Sequence, residues 1–183
     1  MVNVIDTSMS VEAKERLNHA DRPLVAKGTE MTTSREALSM KDEIDAITID
    51  FFRTVSFKEG DKPTYKNLYQ LFIKSGQLIK NSSTSPEIST VRQFIEPRQR
   101  TVDSGELTSF KEGETAEITE IFGKIAHRFS TYEKYGISKG SAFKGRGIIS
   151  FQFILTDAGW KISSLAWDDE RPGLTLSDRD KQG

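Results

Sequence analysis

The sequence predicts an α+β domain in which a curved antiparallel sheet wraps, cone-like, around three N-terminal helices and leaves a central pocket. Two observations carry this. Apolar residues recur at helical spacing through residues 39–103, and four β-rich runs separated by glycine turn signals follow through residues 105–173. Helices first and long strands afterwards is the order of a fold that packs its helices against one face of a sheet.

The first helix is expected to start at Ser39, which has the spacing of a capping box with Asp42. Ile44, Ile47, Phe51, Phe52 and Val55 form its apolar stripe, so that residues 41–57 are helical before the stop at Gly60. A second, shorter helix follows Pro63 over residues 64–72, and Gly76–Lys80 reads as a short strand. The third helix is predicted over residues 86–103, with Ser85 as N-cap, Pro86 at the first position and Glu87 at the positive end of the dipole. Pro97 within it removes one helical hydrogen bond and predicts a kink or split near Ile95. The predicted strands are residues 115–121, 125–135, 143–156 and 160–168. The first two flank a tight turn at Gly123 and the last two a turn at Gly159. Residues 1–38 read as a poorly packed extension, 39–174 as the domain and 175–183 as a solvated tail.

With 26 basic and 27 acidic residues the net charge is -1, so no basic surplus exists to meet a phosphate backbone and nucleic-acid binding is not expected. The absence of cysteine excludes disulfides, thiolate catalysis and thiolate zinc sites, and fits a reducing compartment. No apolar h-region follows a basic start and no run is long enough to span a bilayer, so a soluble, cytoplasmic protein without membrane contact is expected.

Three stretches carry a family resemblance. AITIDFFRTVSF with PTYKNLYQLFIKSGQLI, ITEIFGKIAHRFSTYEKY, and GWKISSLAWDDERPG resemble the opening helices and first strand, the central hairpin and the closing strand of the nuclear transport factor 2-like superfamily. The similarity is greatest to its SnoaL-like and ketosteroid-isomerase-like branch, and it covers about residues 40–174. The resemblance implies a cystatin-like fold and a pocket. It does not choose among isomerases, dehydratases, polyketide cyclases and binding modules, all of which the superfamily contains. The strand-borne Asp base of the isomerases has no counterpart over residues 125–132.

His127 is the candidate catalytic residue. It shares a strand parity with Ile125 and Phe129, the more apolar parity of that strand, and so is expected to face the helices as a general base or hydrogen-bonding partner. The commoner case for a lone His is a satisfied core residue. Candidate ligand contacts are Asp50 beside the inner stripe of the first helix, Tyr65 and Tyr69 at the pocket mouth, Phe129, and Gln152, whose strand leaves open which parity looks inward. Asp168, Asp169 and Glu170 read as a solvated strand end with a local Arg171 pair rather than a metal site. The FKGRG stretch lacks phosphate-loop spacing and reads as a flexible strand entry. No cofactor and no metal are expected.

The functional expectation is acid–base chemistry, of cyclase, isomerase or dehydratase type, on a small hydrophobic molecule. The alternative is a non-catalytic module that binds a small ligand or a protein. Large apolar residues on both parities, Trp160, Ile162 and Ala166 against Leu165 and Trp167, predict a homodimer through the outer sheet face that buries Trp167 or Phe151.

Overall fold

The structure, a computed structural model, describes residues 27–82 and 84–177, with side chains from residue 39 onward. The chain divides by its contacts into two units, residues 1–36 and 37–183. Of the first, only the backbone of 27–36 is described, and it is helical. Residues 1–26 of the extension expected over 1–38, and residues 178–183 of the tail expected over 175–183, lie outside the described residues.

Helix α1 spans Lys27–Val55, so Ser39 sits inside it and is not its cap. Ile44, Thr48, Phe51, Phe52 and Val55 are buried, at spacings that keep one face inward. The Thr48 hydroxyl donates to the Ile44 carbonyl at 2.9 Å, which satisfies a polar atom inside that face. A 3-10 turn, Tyr65–Asn67, leads into the single-turn helix α2, Leu68–Leu71. Strand β1 is Phe72–Lys80 and β2 is Glu87–Thr90.

Helix α3 is Val91–Asp103 and begins five residues later than the Ser85–Pro86 signal predicts. Thr90 and Gln93 form a reciprocal capping box: the Thr90 hydroxyl accepts from the Gln93 N–H, and the Gln93 amide oxygen accepts from the Thr90 N–H at 3.0 Å. Satisfying two end donors at once outcompetes a cap at Ser85, and residues 87–90 are left to pair with β1. Pro97 neither ends nor splits α3. The proline is exposed, and so is Gln93, the residue whose carbonyl loses its helical donor.

The remaining strands are β3 (Leu107–Phe122), β4 (Ile125–Ser138), β5 (Ser141–Thr156) and β6 (Gly159–Asp169). All are joined by hairpins, and Gly123 and Gly159 take the positive φ that the tight turns require. The order across the sheet is β2-β1-β6-β5-β4-β3. The sheet is mixed, since β1 runs parallel to β6 and every other neighbour is antiparallel. The short strand expected at Gly76–Lys80 lies within β1, whereas β2 falls where helix was expected and β1 pairs in parallel with β6, so the expectation of an antiparallel sheet almost wholly after residue 105 is corrected at that edge. The α+β class with a curved sheet over helices is what the structure has.

Register and bulges decide which side chains meet the helices. On β4, Ala126, Arg128, Ser130 and Tyr132 are buried, whereas Ile125 and Phe129 are exposed. A register shift between Glu114 and Ala116 changes the inward parity along β3. A second shift on β6, opposite Gln152 and Phe153, places Trp160 and Ile162 on the same face as Leu165 and Trp167. The apolar residues of β6 therefore form one inner face, and Trp167 and Phe151 belong to the core rather than to an outer interface.

Candidate functional site

The inner faces of α1, the Tyr65 turn, α3 and the sheet line a partly open cavity of about 180 Å³. Its walls are mainly apolar, with Phe51, Val55, Phe94, Phe110, Ile149 and Leu165 among them. Polar groups enter from the 3-10 turn (Tyr65), from α3 (Arg98) and from three strands, as Glu112 on β3, Lys134 on β4 and Asp169 on β6.

Each strand residue is placed by pairing. Glu112 lies directly across from Lys134 in the β3–β4 register. Lys134 in turn forms an ion pair with the Asp169 carboxylate, which also accepts from the Tyr132 hydroxyl. Gly147 makes room for that arrangement: a Cβ there would lie 2.6 Å from the Tyr132 hydroxyl and 2.2 Å from the Asp168 carbonyl. The FKGRG glycines are thus close-approach positions within β5. The Glu112 backbone is held from the other side, where its N–H donates to the Ser56 hydroxyl at 3.0 Å and its carbonyl accepts from it at 3.2 Å.

The electrostatics single out Glu112. Burial pushes its carboxyl up to about 7; Lys134 opposes the rise, Asp169 adds to it and Arg98 opposes it more weakly. Burial also raises the Tyr65 hydroxyl to about 12, with Arg98 acting against the rise and Glu112 with it. Tyr65 therefore keeps its proton near neutrality and is a donor. Tyr132 is held further toward its neutral form by burial and by its bond to Asp169. A carboxyl poised near neutrality beside a neutral phenol, in a mainly apolar cavity, can exchange a proton with a bound molecule.

Of the residues singled out in the sequence, Tyr65 lines this cavity. His127 does not. It lies on the opposite parity from Arg128 and Tyr132, its Nε2 is 3.1 Å from the Ser150 hydroxyl, and its neighbours are the exposed Phe129 and the exposed Gln152 across the strand pair. The parity argument fails because both faces of β4 carry apolar residues, while the inner face also carries the charged Arg128. Asp50 is paired with Arg53 at 2.7 Å on the exposed side of α1, and Tyr69 is half-exposed on α2. The acidic run splits three ways: Asp168 pairs with Arg171, Asp169 turns into the cavity, and Glu170 pairs with Arg146 at 3.1 Å. The local Arg171 pair is present, but the solvated reading fails for Asp169. Glu112, Lys134 and Arg98 escaped the sequence reading. The available signal was an aromatic residue two positions before a charged one on each of two strands, Phe110-x-Glu112 on β3 and Tyr132-x-Lys134 on β4, with Glu112 opposite Lys134.

No protein-family model matches the chain, and no curated protein matches it in sequence. Solved structures do match. A nuclear transport factor 2-like superfamily protein from Salmonella enterica serovar Typhimurium has a TM-score of 0.59 at 16% identity, over 72% of this chain and 91% of its own. An NTF2-like protein with a cystatin-like fold from Novosphingobium aromaticivorans has a TM-score of 0.62 at 11% identity, over 80% and 91%. The LinA-type3 hexachlorocyclohexane dehydrochlorinase of Novosphingobium barchaimii has a TM-score of 0.61 at 12% identity, over 75% and 91%. At these identities the likeness concerns architecture. The chain has the nuclear transport factor 2-like, cystatin-like fold.

Proposed function

We propose that this chain is an acid–base enzyme for a small, largely apolar molecule bound in the inner cavity, with Glu112 as the group that takes the proton. The observation that carries the reading is the Glu112 carboxyl, raised to about 7 by burial in a mostly apolar wall. Such a group is ionised in a useful fraction near neutrality and is a far stronger base than a solvated carboxylate. Glu112 takes a proton from the substrate and becomes neutral. The released electron pair moves into an adjacent carbonyl, as in an isomerisation, or expels a neighbouring leaving group, as in a dehydration. The Tyr65 hydroxyl, which keeps its own proton, donates a hydrogen bond to the developing negative charge. That a structural neighbour is a dehydrochlorinase agrees with an elimination on this scaffold.

The small volume and aromatic walls favour a second reading, a non-catalytic binding module. One experiment separates the two. Wild-type and Glu112→Gln protein are incubated in D₂O with small cyclic ketones, β-hydroxyketones and haloalkanes, and deuterium uptake or elimination is read by mass spectrometry. The enzyme reading expects turnover that needs Glu112 and rises with pH through about 7. Equal turnover by Glu112→Gln, or none above buffer across the panel, overturns it.

The assembly we propose is a homodimer in the cytoplasm. Ile118, Phe122, Ile125 and Phe129 are exposed together on the outer face of β3 and β4, a surface that a second copy would cover. The absence of cysteine agrees with a reducing compartment, and no described helix is long and apolar enough to cross a membrane.

A further inference from the structure

We propose that the cavity takes a small carboxylic acid, with its carboxylate on Arg98 and its apolar body against the aromatic walls. What happens to the ligand rests on the acid–base reading above; the class of ligand rests on Arg98 itself.

Among the described residues three cations line the cavity, and two are already matched. Lys80 pairs with Glu87 at 3.5 Å and Lys134 with Asp169. Among the described residues no ion pair includes Arg98, and its hydrogen-bond acceptor is the Phe94 backbone carbonyl, 3.1 Å from Nη1. Its Cζ lies 3.5 Å from the Phe94 ring centroid, so the guanidinium stacks on that ring. The stack and the backbone bond fix the plane of the fork. Burial pulls the Arg98 pKa below its usual value, against Tyr65, Glu112 and Glu87, but a guanidinium remains charged throughout the working range.

A half-buried, oriented cation that feels Glu112 and Glu87 but has no carboxylate at ion-pair distance among the described residues is an incomplete ion pair. A ligand carboxylate completes it with parallel N–H donors on two oxygens, the geometry for which a guanidinium fork is preorganised. A phosphate dianion fits less well. It needs more cations than the one left unmatched, and it would share the cavity with Glu112. The volume of about 180 Å³ limits the acid to a small one, and the Phe51, Phe94 and Phe110 walls favour an aliphatic chain or a single ring. Carboxylate recognition on α3 turns the remainder of the molecule toward the β3 wall, where Glu112 stands.

The test is calorimetric titration and thermal shift at pH 7 with benzoate, hexanoate and the neutral isostere benzamide. The proteins are wild type, Arg98→Met, Arg98→Lys and Glu112→Gln, each first checked for native circular dichroism. The expected result is that wild type binds at least one acid and prefers benzoate to benzamide. Arg98→Met, which keeps the contact over Phe94, weakens acid binding at least about tenfold, Arg98→Lys gives an intermediate loss, and Glu112→Gln binds acids at least as tightly as wild type. Equal acid binding by Arg98→Met and wild type overturns the proposal. So does a wild type that binds neither acid at about 10 mM, or that binds benzamide as tightly as benzoate. If Arg98→Met does not fold, the benzoate preference and the Arg98→Lys series decide in the same way. Arg98-dependent acid binding without Glu112-dependent deuterium exchange would uphold this proposal and remove the acid–base reading alone.

Discussion

The buried Glu112 carboxyl carries a cost to stability that depends on pH. Its folded pKa, about 7, lies above the ordinary value of 4.5, so the folded state prefers the protonated carboxyl. Stability from this group is therefore greatest below about pH 4.5, falls as pH rises from there to about 7, and levels off above. The difference corresponds to roughly 3 kcal/mol at pH 8. Glu112→Gln, which cannot ionise, should stabilise the protein by up to that amount at pH 8 and by little at pH 4, as urea unfolding at the two pH values would read. An equal effect at both would mean that the carboxyl is not held up by burial. Lys134 works in the opposite direction, so Lys134→Met should move the pH midpoint of activity upward. Gly147 offers a purely steric check. Gly147→Ala places a methyl group against the Asp168 carbonyl and the Tyr132 hydroxyl, and should destabilise by about 2 kcal/mol in denaturant unfolding. An unchanged midpoint would mean that β5 and β6 separate freely there.

Among elements, a cluster of ion pairs attaches α1 to the sheet. Arg128 on β4 is buried and meets Glu114 through two bonds, Nε at 2.8 Å and Nη2 at 2.5 Å. Its Nη1 donates to Asp45 of α1 at 2.5 Å and to Thr119 at 2.9 Å, and lies 3.3 Å from Glu117. Lys41 of α1 completes the cluster at 3.0 Å from Asp45 and 2.9 Å from Glu117. Arg128→Met leaves three carboxylates facing a single lysine and should lose on the order of 3–5 kcal/mol. Burial alone would raise the pKa of Asp45. Bonds from Lys41 and Arg128 outweigh it and hold the carboxyl below its usual 3.8. Glu117 is likewise raised by burial but lowered overall by bonds from Thr119 and Lys41 and by the Arg128 charge. Depressed folded pKa values stabilise above the ordinary carboxylate range, and that stability is lost as pH falls through the folded values. The wild-type protein should therefore lose stability below about pH 4 more steeply than Arg128→Met does. Parallel acid limbs for the two proteins would exclude the cluster as the cause.

For the whole molecule, the outer sheet surface is the feature with a consequence for assembly. Ile118 and Phe122 of β3 stand beside Ile125 and Phe129 of β4, with exposures of 39% to 83%, high enough that a lone subunit would leave the patch wet. Ile118 and Phe129 are paired in register, so charging both breaks the centre of the patch. Wild-type protein should sediment as a dimer at micromolar concentration, and Ile118→Lys with Phe129→Glu should sediment as a folded monomer. A wild-type monomer, or a dimer that survives both substitutions, would remove the outer face as the interface.

The succession of helices and late hairpin strands, the apolar stripe of α1 and the turns at Gly123 and Gly159 were legible in the sequence, because local spacing and glycine stereochemistry determine them. Strand β2 was not, since Glu87–Thr90 carries helix-start signals and forms a strand only by pairing with β1. The resemblance in the opening helices, central hairpin and closing strand likewise pointed to the fold that the solved structures share. The site was not legible, apart from Tyr65. Which parity of a strand faces inward is set by register and by bulges, and a single bulge on β6 reversed the assignment that spacing suggested. Apolarity could not choose the inner face of β4, because Ile125 and Phe129 serve the outer surface while Arg128 is buried within a charge cluster. Glu112, Lys134, Asp169 and Arg98 come from four elements spread over about seventy residues. Only tertiary structure brings them to one cavity, and only the burial it imposes gives an ordinary glutamate a proton affinity suited to neutral pH.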